Sequence, residues 1–259
     1  MTMYVITHKK YDYPVPSGYQ SLLVGANKNI GLSTYLRDNT GNNISDKNKS
    51  YCELTGLYWI WKNKNDRNVG LSHYRRYFSN YTSYKSLDYA ALIFGKNISP
   101  ISINKLDGFL EDYDWIVTTP EVVEEGSIRN HYDHCHHIAD LETVGKVIKE
   151  LTPEYFNSFE EFISGDKASF LNMFYTSKKE MDAYCAWAFK ILFEVEKRVD
   201  ISKYDSYQQR LFGFLGERLL NVWLVHRKPK IKYLATYNSD VVNRKWAARE
   251  IKHKIIGWN

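Results

Sequence analysis

Residues 69–78 read Val69-Gly70-Leu71-Ser72-His73-Tyr74-Arg75-Arg76-Tyr77-Phe78. The first four form a short, mostly apolar run, the pattern of a strand covered on both faces. What this strand delivers is His73, Tyr74, Arg75 and Arg76. In open α/β sheets, ligands sit in the crevice beyond the carboxyl ends of the strands. Arginine meets phosphate oxygens with a two-pronged fork. Two adjacent arginines at such an exit therefore point to a diphosphate, and the plainer alternative is a pair of surface salt bridges.

Working outward, Met3-Tyr4-Val5-Ile6-Thr7 reads as a first buried strand that ends in His8-Lys9-Lys10, and Tyr19 to Val24 as a second. Asn27 to Lys49 is a long polar segment centred on Arg37-Asp38-Asn39-Thr40-Gly41-Asn42-Asn43. Loops of that length in compact domains are usually functional or disordered. An ordered helix follows at once and favours function. Its opening, Ser50-Tyr51-Cys52-Glu53, has the capping-box pattern, and Leu54, Leu57, Tyr58 and Trp61 recur at helical spacing. Asp114 to Thr119 predicts a strand, 121–137 a polar loop, Ile138 to Leu151 a helix, and Ala168 to Tyr175 a strand. Lys178 to Arg198 and most of Asp205 to Arg227 predict helices, and Ile231 to Leu234 a last strand. Strands alternating with helices give an α/β class. We read one domain over 1–259. In it 1–120 mainly bind nucleotide, 121–240 mainly serve acceptor and catalysis, and 241–259 form a basic tail.

The chain has 259 residues and a formal charge of +5, enough length for a buried core and too little charge asymmetry for a nucleic-acid binder. The N-terminus lacks the apolar stretch of a signal peptide, so the expected location is cytoplasmic. The tail's Lys/Arg residues and Trp258 suit peripheral contact with an anionic inner-membrane face, the alternative being a solvated helix. Three scattered cysteines give neither a disulfide framework nor a zinc module. Histidines 131, 134, 136 and 137 crowd together without a partner motif and read as a substrate-facing loop rather than a metal centre. Aromatic residues make up 15% of the chain, with 21 Tyr and 7 Trp, which suits stacking on sugars or bases as well as core filling. Hydrolase, kinase and dinucleotide-binding motifs are missing.

Several motifs in one order resemble a single family. They are Arg37-Asp38-Asn39-Thr40-Gly41-Asn42-Asn43-Ile44-Ser45, then Asn48-x-x-Tyr51-Cys52-Glu53-Leu54-Thr55 and Tyr58-Trp59-x-Trp61-Lys62-Asn63. His73-Tyr74-Arg75-Arg76-Tyr77-Phe78, Asp140-Leu141 and Tyr207-Gln208-x-Arg210-x-x-Gly213-Phe214-x-x-Glu217-Arg218-Leu219 follow. Over roughly 3–235 the chain resembles the capsule and O-antigen glycosyltransferases long catalogued as a domain of unknown function, some of which are inverting β-galactofuranosyltransferases. The resemblance implies a single GT-A-like nucleotide-sugar-binding domain, a mixed sheet flanked by helices with a helical C-terminal part. It also implies a UDP-sugar donor, with UDP-galactofuranose first, and a lipid-linked oligosaccharide acceptor.

The nucleotide-sugar candidates are Thr7, His8 and Lys9 at the first strand exit, Asp38, Asn39, Asn43, Ile44 and Ser45 in the polar loop, and His73, Tyr74, Arg75 and Arg76. Many GT-A enzymes hold a divalent metal with Asp-x-Asp at such an exit. Here cations stand there instead, able to stabilise a UDP leaving group directly, so no metal or other cofactor is expected. Asp112-Tyr113-Asp114 spells the motif but precedes its strand. An inverting transfer needs a base at the acceptor hydroxyl. Glu217 is favoured, because Gly213-Phe214-x-x-Glu217 is similar to the Gly-aromatic-x-x-Glu-Asp pattern holding the base in other inverting GT-A enzymes. Its alternative is a buried ion pair with Arg218. Asp205 is the second candidate base, its alternative being a helix cap. His136, His137, Asp140, Asn172 and Arg218 are candidates for acceptor or sugar binding. The competing functions are transfer of another hexose, such as galactopyranose, and a non-catalytic sugar- or nucleotide-binding module.

Overall fold

The computed structural model describes residues 1–256, the side chains of Lys96 and of 254–256 apart. Its centre is β1 (Thr2–Thr7), the run Thr2-Met3-Tyr4-Val5-Ile6-Thr7, buried along its whole length. Such a strand needs cover on both faces. Tyr4 and Ile6 enter one core, and Met3 and Val5 enter the other, as side chains alternate across the sheet. On either side of β1 lie β2 (Tyr19–Leu23) and β4 (Asn68–His73), both parallel to it, with β3 (Leu36–Arg37) beyond β2. β5 (Arg76–Phe78) doubles back antiparallel from β4, pairing Arg76 with His73. The stretch His73-Tyr74-Arg75-Arg76 is thus a tight hairpin at the strand exit.

β6 (Trp115–Thr118) follows, then a small ribbon of β7 (Glu121–Val122) with β8 (Lys167–Ala168). β9 (Phe174–Ser177) is wedged antiparallel between β4 and β6, while β10 (Ile231–Leu234) runs parallel to β6. β11 (Thr236–Asn238) pairs with β5. Among the described residues the main sheet has nine strands, ordered β10-β6-β9-β4-β1-β2-β3 with β5 and β11 off this path. Gly70 permits the β4–β9 approach, since a Cβ there would stand 2.6 Å from the Phe174 carbonyl oxygen.

The helices are α1 (Asn48–Tyr51), α2 (Leu54–Asn63), α3 (Tyr84–Phe94), α4 (Ile103–Phe109) and α5 (Ile128–Cys135), then α6 (Ile138–Leu151) and α7 (Phe156–Ser164). α8 (Lys178–Glu196), α9 (Leu211–Arg227) and α10 (Arg244–Ile256) complete the set. The core on the Tyr4 face draws on α2, α6, α8 and α9, and the opposite core on α3, α4 and α10. No helix among the described residues is long and apolar enough to cross a membrane. The basic tail begins as α10 packed on α3, and Trp258 lies outside the described residues.

Five local expectations change. Ser50 does not open a helix; it lies inside α1, its hydroxyl donating to the Lys47 carbonyl. The helix breaks at Cys52, where Asn48 Nδ2 donates to the Cys52 carbonyl at 2.7 Å and to Thr55 Oγ1 at 3.0 Å, closing the turn that separates α1 from α2. The polar segment 121–137 contains α5, whose N-cap Ser127 accepts from Asn130 N. The strand expected over Ala168 to Tyr175 splits into β8 and β9, because Leu171 and Asn172 adopt positive φ. The long polar segment before α1 also carries β3.

Candidate active site

Going outward from β1, the order runs toward β2 and β3 on one side and toward β4 on the other, so the gap beyond the ends of β1 and β4 is the topological switch point. A cleft of about 540 Å³ opens there, within the roughly 300–1,000 Å³ of small-molecule sites. Thr7 and His8 border it from β1, and His73, Tyr74, Arg75 and Arg76 from the β4–β5 hairpin. Asn48 and Lys49 come from α1, Cys52 and Glu53 from the turn into α2, and Arg210 and Glu217 from the approach to α9 and its second turn.

The cations dominate this space. Arg75 Nη1 reaches Asp240 at 3.5 Å, both side chains about half exposed, which is a weak tie. Lys49, Arg76 and Arg210 have no ion pair among the described residues. Arg210 Nε rests 3.4 Å from Cys52 Sγ, with its guanidinium over the Phe214 ring. The Tyr74 ring is flanked by Lys9 Nζ at 5.5 Å, Arg75 at 4.9 Å and His8 edge-on. Burial pushes the His8 and His73 imidazoles below their ordinary range, helped at His8 by Lys9. His73 Nε2–H donates to the Leu171 carbonyl at 2.7 Å.

Glu217 lies on the facing wall. Gly216 brings α9 close, since a Cβ there would stand 2.8 Å from Leu54 Cδ1. Glu217 Oε1 accepts from Leu171 N at 3.1 Å, and Oε2 pairs with Arg218 Nη1 at 2.9 Å. Burial pushes its carboxyl up, against the pull of Arg218. Arg218 itself is buried, its guanidinium over Tyr132 and Phe170 and its Nε without a partner among the described residues. Glu217 is therefore both an ion-pair partner and a wall of the cleft. Asp205 is exposed and away from the cleft lining, its Oδ1 accepting from the backbone N–H of Tyr207 and of Gln208, both at 2.8 Å.

The loop candidates stand behind the cleft. Asp38 is fully buried, and Asn39 donates to Asn27, Asn43 accepts from Ser45 N, and Ile44 packs on the core. His136, His137 and Asp140 gather to one side. His136 stacks 4.1 Å from Phe214, and burial lowers its pKa to about 4. Tyr204 OH donates to Asp140 and its ring meets His137. Phe214 links this group to Arg210. Asn172 is buried beside Glu53. Sequence reasoning did not single out Glu53 or Arg210 as site residues, although both stand in the motifs quoted above.

At the β4 exit, where a GT-A metal would be held, the side chains are His73 and arginines rather than carboxylates. Asp112 and Asp114 precede β6, with Asp114 Oδ2 accepting from Lys230 N, and neither lines the cleft. Away from it, Glu125, His131 and Cys135 bring potential ligand atoms within 4.8 Å of one another, and His131 Nδ1 already bonds Glu125 at 2.9 Å.

Residues 2–228 match the family described as Domain of unknown function (DUF4422). The chain belongs to this family. Among solved structures, this DUF4422 chain is similar to one titled "WbbM bifunctional glycosytransferase apo structure", with a TM-score of 0.78 and 25% sequence identity. That likeness covers 92% of this chain and 45% of the other, so the DUF4422 chain spans less than half of that protein. No curated protein matches. The mixed sheet, its flanking helices and this neighbour together identify an α/β fold of GT-A type.

Proposed function

We propose that this chain is an inverting glycosyltransferase that moves a hexose, galactofuranose first, from its UDP-sugar to a lipid-linked or oligosaccharide acceptor in capsule, exopolysaccharide or O-antigen synthesis. The observation that carries the reading is a cleft at the switch point with Lys49, Arg76 and Arg210, unpaired among the described residues, faced by the carboxylate of Glu217. Similarity to a glycosyltransferase supports it. In the reaction, the acceptor hydroxyl oxygen attacks the anomeric carbon and its proton passes to Glu217. The C–O bond to phosphate breaks, and UDP leaves with the electron pair. Arg75, Arg76 and Arg210 stabilise the charge that develops on the diphosphate. The aromatic group of His136, Tyr207 and Phe214 beside Arg210 offers the shelf for the acceptor sugar. On the α10 side, Arg244 and Lys245 lie beside exposed Ile93 and Phe94, a basic and apolar edge suited to anionic lipid near a lipid-linked acceptor.

Replacing Arg75 or Arg76 by Ala is expected to weaken UDP binding by roughly 1.5–3 kcal/mol, the range for a hydrogen bond to a charged group. Arg76 should show the larger loss, since Asp240 already competes for Arg75. Calorimetry with unchanged UDP affinity in both variants would remove the diphosphate from this hairpin. Turnover is also expected to survive excess EDTA, because cations occupy the place of the metal carboxylates. Activity lost in EDTA and restored by Mn²⁺ or Mg²⁺ would reverse that expectation. The same assay run with UDP-galactofuranose and UDP-galactopyranose identifies the donor. UDP binding without transfer from either would favour a non-catalytic module.

A further inference from the structure

We propose that Glu53 is the residue that holds a hydroxyl of the transferred sugar, next to the reacting carbon. The assignment rests on the nucleotide-sugar reading of the cleft. Glu53 stands at the start of α2 and borders the cleft. Its Oε1 accepts from Asn172 Nδ2 at 2.5 Å, and its own backbone N–H is a further donor. Among the described residues it has no ion pair. A carboxylate offers about four acceptor sites, so Glu53 keeps capacity toward the cleft.

The surroundings are arranged for this side chain at a cost. Cys52, Leu171 and Asn172 have φ of 50°, 80° and 50°, three of the four non-glycine residues with positive φ among the described residues. Cys52 precedes Glu53 in the chain, and Asn172 is its hydrogen-bond partner. Strained backbone of this kind persists where the rest of the fold over-determines it, commonly at ligand clamps. Asn172 is itself buried, and its Oδ1 has no hydrogen-bond partner among the described residues. Its donor end is shared between Glu53 and the Gly213 carbonyl. A buried amide that leaves its acceptor unpaired is kept for what its donor does, which here is to aim Glu53.

The ligand group follows from charge and position. A carboxylate repels a diphosphate, so Glu53 does not face that part of the donor. Glu53 and Glu217 are tied to consecutive residues, Glu53 to the Asn172 side chain and Glu217 to the Leu171 N–H, and so flank one point on the wall. The base must stand beside the anomeric carbon. A carboxylate next to it meets the sugar ring, whose hydroxyls are neutral donors, rather than uracil or ribose farther along the nucleotide.

Calorimetric titration of UDP and of UDP-galactofuranose into wild type, Glu53→Gln and Glu53→Asp tests this. Glu53→Gln is expected to leave the UDP Kd within about two-fold and to weaken the UDP-sugar about 10- to 100-fold, the span of a hydrogen bond to a charged group. Glu53→Asp keeps the charge but shortens the reach, and should show the same selective loss. It carries the comparison if Glu53→Gln does not melt cooperatively. Equal weakening of both ligands would make Glu53 a structural residue. Unchanged UDP-sugar affinity with lost turnover would make it a base, and either result overturns the assignment. If wild type bound UDP but no UDP-sugar, or neither, the reading of the cleft itself would fail, and this assignment with it.

Discussion

Glu217→Gln is expected to lower kcat by roughly 10²–10⁴, the range for losing a general base, with UDP affinity within about two-fold of wild type. Gln keeps the size and the acceptor that meets Leu171 N, but it cannot take a proton from the acceptor hydroxyl. The pH profile gives a second readout. A base works in its ionised form, so activity falls as pH drops through its pKa. Burial pushes the Glu217 carboxyl up, and the acid limb should therefore lie above that of an ordinary glutamate, about 4.3. That limb should vanish from the residual activity of Glu217→Gln. Some stability is lost as well, because Arg218 is buried and its charge partner becomes neutral. Asp205→Asn is expected to be mild, since Asp205 is exposed and its Oδ1 serves as a cap for Tyr207 N and Gln208 N. Asn keeps the Oδ1 acceptor and caps about as well as Asp, so little stability and little turnover should be lost. If Glu217→Gln unfolds while Asp205→Asn folds and is inactive, the two roles are exchanged.

The strands around the cleft were legible because each is an apolar run with a polar exit. Met3 to Thr7, Tyr19 to Val24 and Val69 to Ser72 differ from the observed strands by one residue at one or both ends, and Ile138 to Leu151 and Ile231 to Leu234 match at both ends. Gathering them around one crevice follows from the parallel pairing of β1 with β2 and β4, so Thr7, His8 and the His73–Arg76 hairpin could be assigned to one place. What stayed hidden depends on backbone conformations without a sequence signature. Cys52 and Leu171 have side chains that ordinarily avoid positive φ, so neither announces the turn it makes. The first turn breaks an expected continuous helix and carries Glu53 to the cleft. The second splits an expected strand and supplies the Asn172 clamp. Arg210 was hidden for another reason. It lies in a short 3-10 segment before α9, where the apolar periodicity that locates helices has not yet begun.

Asp38→Ala is expected to destabilise the fold by roughly 3–5 kcal/mol, a large value with one specific cause. For a chain of this size that is a fall in Tm of roughly 6–20 °C. Asp38 is fully buried, and each of its oxygens meets one backbone N–H and one hydroxyl. Oδ1 accepts from Ala26 N at 3.0 Å and from Ser45 Oγ at 2.6 Å, while Oδ2 accepts from Gly25 N at 2.9 Å and from Thr55 Oγ1 at 2.7 Å. The hydroxyls could turn round, but the two N–H groups are donors only. No orientation of an amide satisfies both, so Asp38→Asn should also be strongly destabilising, although it is nearly the same size. Ser45→Ala removes one donor and leaves the carboxylate three, and should cost about 1 kcal/mol. The four bonds tie the turn after β2 to the polar loop and to α2, and so set the wall from which Asn29 and Asn48 border the cleft. Thermal melts with and without UDP separate this from direct nucleotide contact. Below their own Tm, the Asp38 variants should still gain a UDP-dependent rise in Tm comparable to wild type. A variant that melts like wild type but gains nothing from UDP would place Asp38 on the ligand and remove it from this buried hub.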